Sequence, residues 1–367
     1  MGVLKLLAVP VALLAIAVGT VKQVKPELFF KVPHVGFILH AITGGSMPPH
    51  FSPDAWEPAE MRTWIKDGDL VVATAAKSGT TWMLYCAHQI RTKGADDVEF
   101  GDVSYATLWP DLMQAPGSTW AQQKPLYNTT VLADGTKLKD YWDRPEFPFR
   151  IWKSHYTPKV LPIEQFPKVK FLAMARNGLD VVNSFIPFFD SHSDEFRTTW
   201  GGFPPKASGD MEKDAEARMN DVMPGAMLGG LYWDYILEWW PMRKAPNVLM
   251  LHYADAVKDL AGTVTKLAEF VGVTLTSSEH AKVVEKCGMT HMKSVTHKFT
   301  YAQPLNPEWN AKDMRIMTKG AMTRKGGLKT GEGTFTAVQK AKWTAAEEKT
   351  FTDPAMLKWA REGGAFE

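Results

Sequence analysis

The stretch LVVATAAKSGTTW, residues 70 to 82, constrains the fold more than any other part of the chain. Leu70-Val71-Val72-Ala73 is an uncharged apolar run, and Leu70 to Thr74 reads as a buried strand. Small residues follow, one of them glycine, and Thr81 to Arg91 reads as a helix ending near Gly94. A strand that turns through small residues into a helix presents the first helical N–H groups, which lack intrahelical partners, to whatever occupies the turn. The helix dipole favours an anion at the same place. Gly79 lets the backbone come close, Lys77 supplies a mobile charge, and Ser78, Thr80 and Thr81 supply hydroxyl donors. Together these residues make a phosphate cradle. It is not the nucleotide triphosphatase loop, which needs G-x-x-x-x-G-K-[ST], because here the lysine precedes the only glycine. Taken by itself, the stretch also fits a plain helix start capped by threonine.

Downstream, strand-like and helix-like segments alternate. PFRIWKSH (148 to 155), VKFLAMA (169 to 175) and NVLMLHY (247 to 253) read as strands, the second uniformly apolar, as in a strand covered on both faces. Helices are expected over 179 to 189, over the aromatic run 228 to 244, over 262 to 273 and over 277 to 287. Such alternation predicts an α/β fold with a parallel sheet flanked by helices. Ligands of such sheets sit at the carboxyl ends of the strands, where the turn after residue 74, Ser154-His155 and Arg176 all fall.

The 367 residues suffice for one large domain, and we expect it over 64 to 367 behind an irregular Pro-, Gly- and His-rich lead-in over 26 to 63. A net charge of +2 makes no case for nucleic acid. The two cysteines, Cys86 and Cys287, have no zinc spacing and suggest no disulfide framework, so Cys86 reads as a small core residue. No metal-ligand cluster stands out, and none is expected. Residues 6 to 21 are uncharged and mostly apolar, slightly short for a span, and interrupted by Pro10. Three readings stay open for residues 1 to 25: a membrane anchor, a signal peptide with Ala15-Ile16-Ala17 as the cleavage-like site, and a buried or surface-lying helix. In the anchor reading, Lys22, Lys25 and Lys31 place the larger part on the cytoplasmic side.

KSGTTW resembles the 5′-phosphosulfate loop of the cytosolic-type sulfotransferases, which use 3′-phosphoadenosine 5′-phosphosulfate (PAPS). Four further segments match in the same order: FRIWKSHYTP, FLAMARNGLDVVNSF, HYADAVKD with the helix after it, and RKGG at 324 to 327. The sequence departs from the family in three places. Ala75-Ala76 replaces an aromatic-Pro pair, Met289 stands where an aromatic residue is usual, and Lys329-Thr330-Gly331-Glu332 replaces Gly-Asp-Trp-Lys. The resemblance implies a P-loop-like sulfotransferase fold, PAPS as co-substrate, and sulfuryl transfer to a hydroxyl or amine. It also implies a homodimer, whose contact in the family lies just past the altered signature.

The same resemblance assigns roles. His155 is the base, Lys77 stabilises the leaving phosphate, and Lys153 meets the transferred sulfuryl group. Ser78, Gly79, Thr80 and Thr81 hold the 5′ side; Arg176, Ser184, Arg324, Lys325 and Gly326 hold the 3′-phosphate. Trp82 and Met289 pack on adenine, and Tyr253 reaches the purine or the 3′ side. Each has a bland alternative: a structural histidine, a solvated lysine, a salt-bridged arginine, a core tryptophan. The acceptor pocket is expected from Trp109, Trp120, Tyr127, Tyr141 and Trp142, and from Phe188, Phe189, Trp200 and Phe203, which suits an aromatic or lipid-like small molecule. Two other functions compete. A P-loop nucleotide kinase would want the missing glycine and a magnesium-binding carboxylate. A nucleotide-binding protein without catalysis would fit the altered signature.

Overall fold

Four strands, β1 (Leu70–Thr74), β2 (Ile151–Ser154), β3 (Lys170–Ala175) and β4 (Val248–His252), carry no charge except Lys153 and Lys170. Chains of this kind are stable only between two covering layers. The computed structural model, which describes residues 48, 50–324 and 326–366, places them so. All four are parallel, in the order β2-β1-β3-β4. Alternate side chains enter two cores: Val71, Ala73, Trp152 and Phe171 on one face, Leu70, Val72, Ile151 and Leu172 on the other. The α/β expectation holds.

Register then decides what meets at the top of the sheet. Ala73 lies opposite Ser154 on one side and Ala173 on the other. The three strands therefore end level, and the residues just beyond them, Lys77, His155 and Arg176, face a common space. Helices α1 (Thr80–Arg91) and α2 (Gly178–Asp190) follow β1 and β3. Further on come α3 (Trp233–Trp239), α4 (Leu260–Val271), α5 (Ser277–Cys287), α6 (Ala337–Thr350) and α7 (Pro354–Glu362). Helix α1 has buried residues on all sides, the mark of an internal helix.

Two expectations are corrected. The aromatic run 228 to 244 is not one helix: α3 is flanked by short 3₁₀ turns, Gly229–Leu231 and Trp240–Met242. Gly229-Gly230 loses too much backbone entropy for a helix interior, and Pro241 has no N–H to continue one. Cys86 and Cys287 are paired as a disulfide, with Cα atoms 5.4 Å apart. Their separation of 201 residues is closed only by the packing of α5 on α1, which no spacing rule anticipates. The apolar segment 6 to 21 and Lys325 lie outside the described residues. Among the described residues, no helix is long and apolar enough to cross a membrane.

Candidate active site

The level strand ends open into a cavity of about 700 Å³, lined by residues from β2, α1, α2 and the loops that follow. The turn after β1 enters the left-handed region at Lys77 (φ 61°), where a side chain is strained, and at Gly79 (φ 100°), where glycine is not. At Gly79 a side chain is disfavoured by φ, and a Cβ would also press on the Tyr253 ring at 3.1 Å. Lys77, Gly79, Thr80, Thr81 and Trp82 all line the cavity. Ser78 does not: it is fully buried, its N–H bonds Ala75 O at 3.2 Å, and its hydroxyl points back to Ala76 O. Thr80 Oγ1 meets Thr74 Oγ1, and Thr81 Oγ1 meets the Tyr301 hydroxyl at 2.8 Å. The hydroxyls thus brace the turn from behind.

Cations gather on one side. The Lys77 ammonium sits 3.5 Å from the centre of the Phe188 ring. Arg176 donates to Gly327 O at 3.0 Å and Thr330 Oγ1 at 3.2 Å, lies 4.4 Å over the Tyr253 ring, and leaves its buried Nε without a partner. Burial, then Arg324 and Arg176, hold the Lys77 pKa well below its ordinary value; burial, then Arg176, lower Arg324. Asp180 Oδ2, 3.5 Å from Arg176, is the acidic partner of this group. Such a crowd of positive charge is an anion site by electrostatics.

His155 stands across from it. Its Nδ1 lies 2.9 Å from Thr74 O. A carbonyl only accepts, so Nδ1 carries the proton and Nε2 the lone pair. Burial, then Lys153 and Lys77, pull its pKa down to about 3, so the ring is neutral at physiological pH. Lys153 is buried with its ammonium between two rings, 3.1 Å from the centre of Trp109 and 3.9 Å from Tyr301. Asp111 sets the height of His155: it accepts from the His155 N–H at 2.7 Å, Ser154 Oγ at 3.1 Å and Trp56 Nε1 at 2.8 Å. Burial raises its pKa to about 6 despite those donors.

On the far side of the cation group, Trp82, Tyr253 and Met289 form a slot. Trp82 donates to Cys287 O at 2.8 Å and meets Tyr253 edge-on at 5.5 Å. Gly326 (φ 62°) closes it; a Cβ there would come within 2.5 Å of the Met289 methyl. Ser184, on α2, lines the same cavity. The Lys329-Thr330-Gly331 segment, which departs from the family pattern, is tied down by Asp180. That carboxylate accepts from Lys329 N at 3.0 Å, Thr330 Oγ1 at 3.0 Å and Gly331 N at 2.9 Å.

The acceptor expectation is half corrected. Trp109, Phe188, Phe189 and Phe203 line the cavity. Trp120, Tyr127, Tyr141 and Trp142 do not; Trp120 packs on Trp64 at 5.1 Å and Trp142 on Trp152 at 5.2 Å. Burying rings against the tryptophan of β2 outweighs lining a pocket. Trp200 is also core. Sequence reasoning misses Asp111, Tyr301, Asp180 and His50, because each acts through a partner far along the chain.

With that geometry in view, the comparisons are specific. A family model described as "Sulfotransferase domain" matches residues 67–352. The chain is 25% identical over 323 residues to sulfotransferase 2A6 of Mus musculus, covering 84% of this chain and 95% of that one. Retinol dehydratase in complex with androsterone and the inactive cofactor PAP shares the fold, with a TM-score of 0.56, 20% identity, and 79% of this chain and 82% of that one covered. A mouse sulfotransferase complexed with PAP does likewise, with a TM-score of 0.54, 16% identity, and coverage of 86% and 95%.

Proposed function

The chain belongs to the sulfotransferase family and is a sulfotransferase enzyme, and from that premise we propose that residues 64 to 367 transfer a sulfuryl group from PAPS to a hydroxyl or amine of a small apolar acceptor. The observation that carries the donor assignment is the cation group of Lys77, Arg176 and Arg324 beside the slot of Trp82, Tyr253 and Met289. Residues and donor fit. At Gly79 the positive φ and the Tyr253 ring, 3.1 Å from where a Cβ would stand, keep the turn bare of a side chain beside the slot, and Arg176 keeps a buried N–H unspent. Retinol dehydratase and the mouse sulfotransferase hold PAP in structures of this fold.

When bound, the donor supplies an activated sulfuryl group. The chain's own residues do the rest. Arg176, Ser184, Arg324 and Gly326, with Lys325, hold the 3′-phosphate, the arginines through forked donors. Gly79, Thr80 and Thr81 hold the 5′ side, with Ser78 contributing backbone shape rather than its hydroxyl. Trp82, Tyr253 and Met289 hold adenine. His155 takes the acceptor proton at Nε2 while Lys77 and Lys153 hold negative charge near the departing oxygen. Freed of its proton, the acceptor oxygen or nitrogen attacks sulfur in line.

The test is calorimetry with 3′-phosphoadenosine 5′-phosphate (PAP), followed by an acceptor screen with labelled donor. We expect tight PAP binding and transfer. We expect His155→Ala to keep PAP affinity and lose about 10²–10⁴-fold in turnover. Arg176→Ala should weaken PAP more than its 3′-dephospho analogue. Tight PAP binding with no transfer to any acceptor would reject the enzyme mechanism, and near-normal turnover by His155→Ala would reject the base.

A further inference from the structure

Two histidines of the cavity have no part in the transfer chemistry. His50 lines the cavity, is 7% exposed, and packs against Phe51, Phe196 and Phe203, with ring centroids 4.7, 5.4 and 5.9 Å away. Its Nδ1 is buried without a hydrogen-bond partner. A polar nitrogen left unsatisfied among phenyl rings is a cost that a leucine or phenylalanine at this position would not incur. His192, just past α2, lines the same cavity and is also 7% exposed. Its Nδ1 lies 2.9 Å from Phe188 O, so its proton is there and Nε2 carries a lone pair. Phe196 stands between the two imidazoles, 5.4 Å from one and 5.2 Å from the other. Phe51 stands between His50 and His155, 4.7 Å from the first ring and 6.1 Å from the second.

On the transfer reading above, an acceptor hydroxyl at His155 lays its apolar body along Phe51 and brings its far end to His50. We propose that His50, seconded by His192, is an acceptor-recognition site for an uncharged second polar group, a hydroxyl or carbonyl oxygen, at the far end of an otherwise apolar acceptor. The neutral His50 imidazole offers one N–H and one lone pair, so it serves either group, whereas His192, its N–H already given to Phe188 O, accepts from a hydroxyl only. Burial comes first for both rings; His192 and Lys153 add to it at His50, and Arg197 and Lys77 add to it at His192, so both stay neutral, with pKa values of about 3. A carboxylate or ammonium at the same place would lose its water to the phenyl walls of Phe51, Phe196 and Phe203.

The test compares a saturated fused-ring alcohol with the same skeleton bearing a ketone at the opposite end. Each is measured by calorimetry in the presence of PAP and by kcat/KM. Wild type should favour the hydroxy-ketone by about tenfold, since a site built to hydrogen-bond a group discriminates against its absence. His50→Phe should bring the preference to within about twofold of unity, and His50→Gln, which keeps a donor and an acceptor, should restore part of it. PAP affinity shows that each variant is folded. No preference in wild type, binding of neither compound, or an undiminished preference in His50→Phe would each overturn the site. Preferential binding without turnover would keep the site and sink the transfer reading, so the two failures are distinct.

Discussion

At the scale of single residues, the site is a set of positive groups held together before their counter-ion arrives. Lys77 is strongly affected. It loses solvation in the cavity wall and feels Arg324 and Arg176, and each effect favours its neutral form. A bound phosphate reverses the second effect, so its pKa must rise on binding. The sign follows: binding takes up protons, and affinity falls as pH rises. Above about pH 8 the phosphates of PAP are fully ionised, their second pKa being about 6, so uptake there belongs to the protein. We expect calorimetry in buffers of different ionisation enthalpy to show proton uptake between about pH 8 and the ordinary lysine value of about 10.5. Lys77→Met should weaken PAP and remove most of that uptake. Uptake that persists in Lys77→Met would place the titrating group elsewhere. His155 feels the same lysine, together with Lys153, so a dianion beside them also raises the base toward a useful pKa.

At the scale of elements, much of the architecture is legible in the sequence because apolar runs and small-residue turns are local signals. β1 and α5 have the expected bounds, and β3 and β4 differ from theirs by a residue or so. The bounds of 228 to 244 fail where Gly229-Gly230 and Pro241 act against an otherwise helical pattern. Lys77, His155 and Arg176 are legible since each follows a strand directly. Asp111 and Asp180 are not. Their meaning lies in backbone N–H groups that the chain delivers 44 and 151 residues later, and composition carries no trace of that. Asp180 shows how an altered signature is retained: one buried carboxylate gathers Lys329, Thr330 and Gly331 and holds them against Arg176. Bonds to a charged acceptor contribute about 1.5–3 kcal/mol each. Asp180→Ala should therefore free this segment and weaken PAP by about 10–100-fold, with a smaller effect on the 3′-dephospho analogue. Hydrogen exchange gives an independent readout, since the Lys329 and Gly331 amides should lose protection. If those amides stay protected in the variant, Asp180 is not what holds the segment.

At the scale of the whole molecule, the surroundings of five histidines hold them neutral. His50, His155 and His192 have pKa values near 3 and His252 near 4, each lowered first by burial; His88 lies well below its ordinary value for the same reason. In the unfolded chain all five titrate near 6.5. Between that value and about 3 the unfolded state binds more protons than the folded one, so stability rises with pH across this window. The stabilisation is complete above about pH 6.5 and is lost as pH falls toward the folded-state values. Asp111 works the other way. Its raised pKa of about 6 means that the folded state binds the extra proton from there down to the usual carboxylate range, which favours folding as pH falls. Glu347, also raised by burial, acts in the same sense, and these two carboxyls oppose five imidazoles, so the histidines prevail. We expect the melting temperature to be level from pH 8 to 7 and to fall by about 5 °C or more by pH 5. PAP should offset part of the fall, because its charge next to Lys77 and Lys153 relieves His155. His50→Phe should flatten the acid limb by removing one of the five groups. A melting temperature unchanged from pH 7 to 5 would mean that these rings reach solvent and titrate normally in the folded chain, so that burial is not what lowers their pKa values.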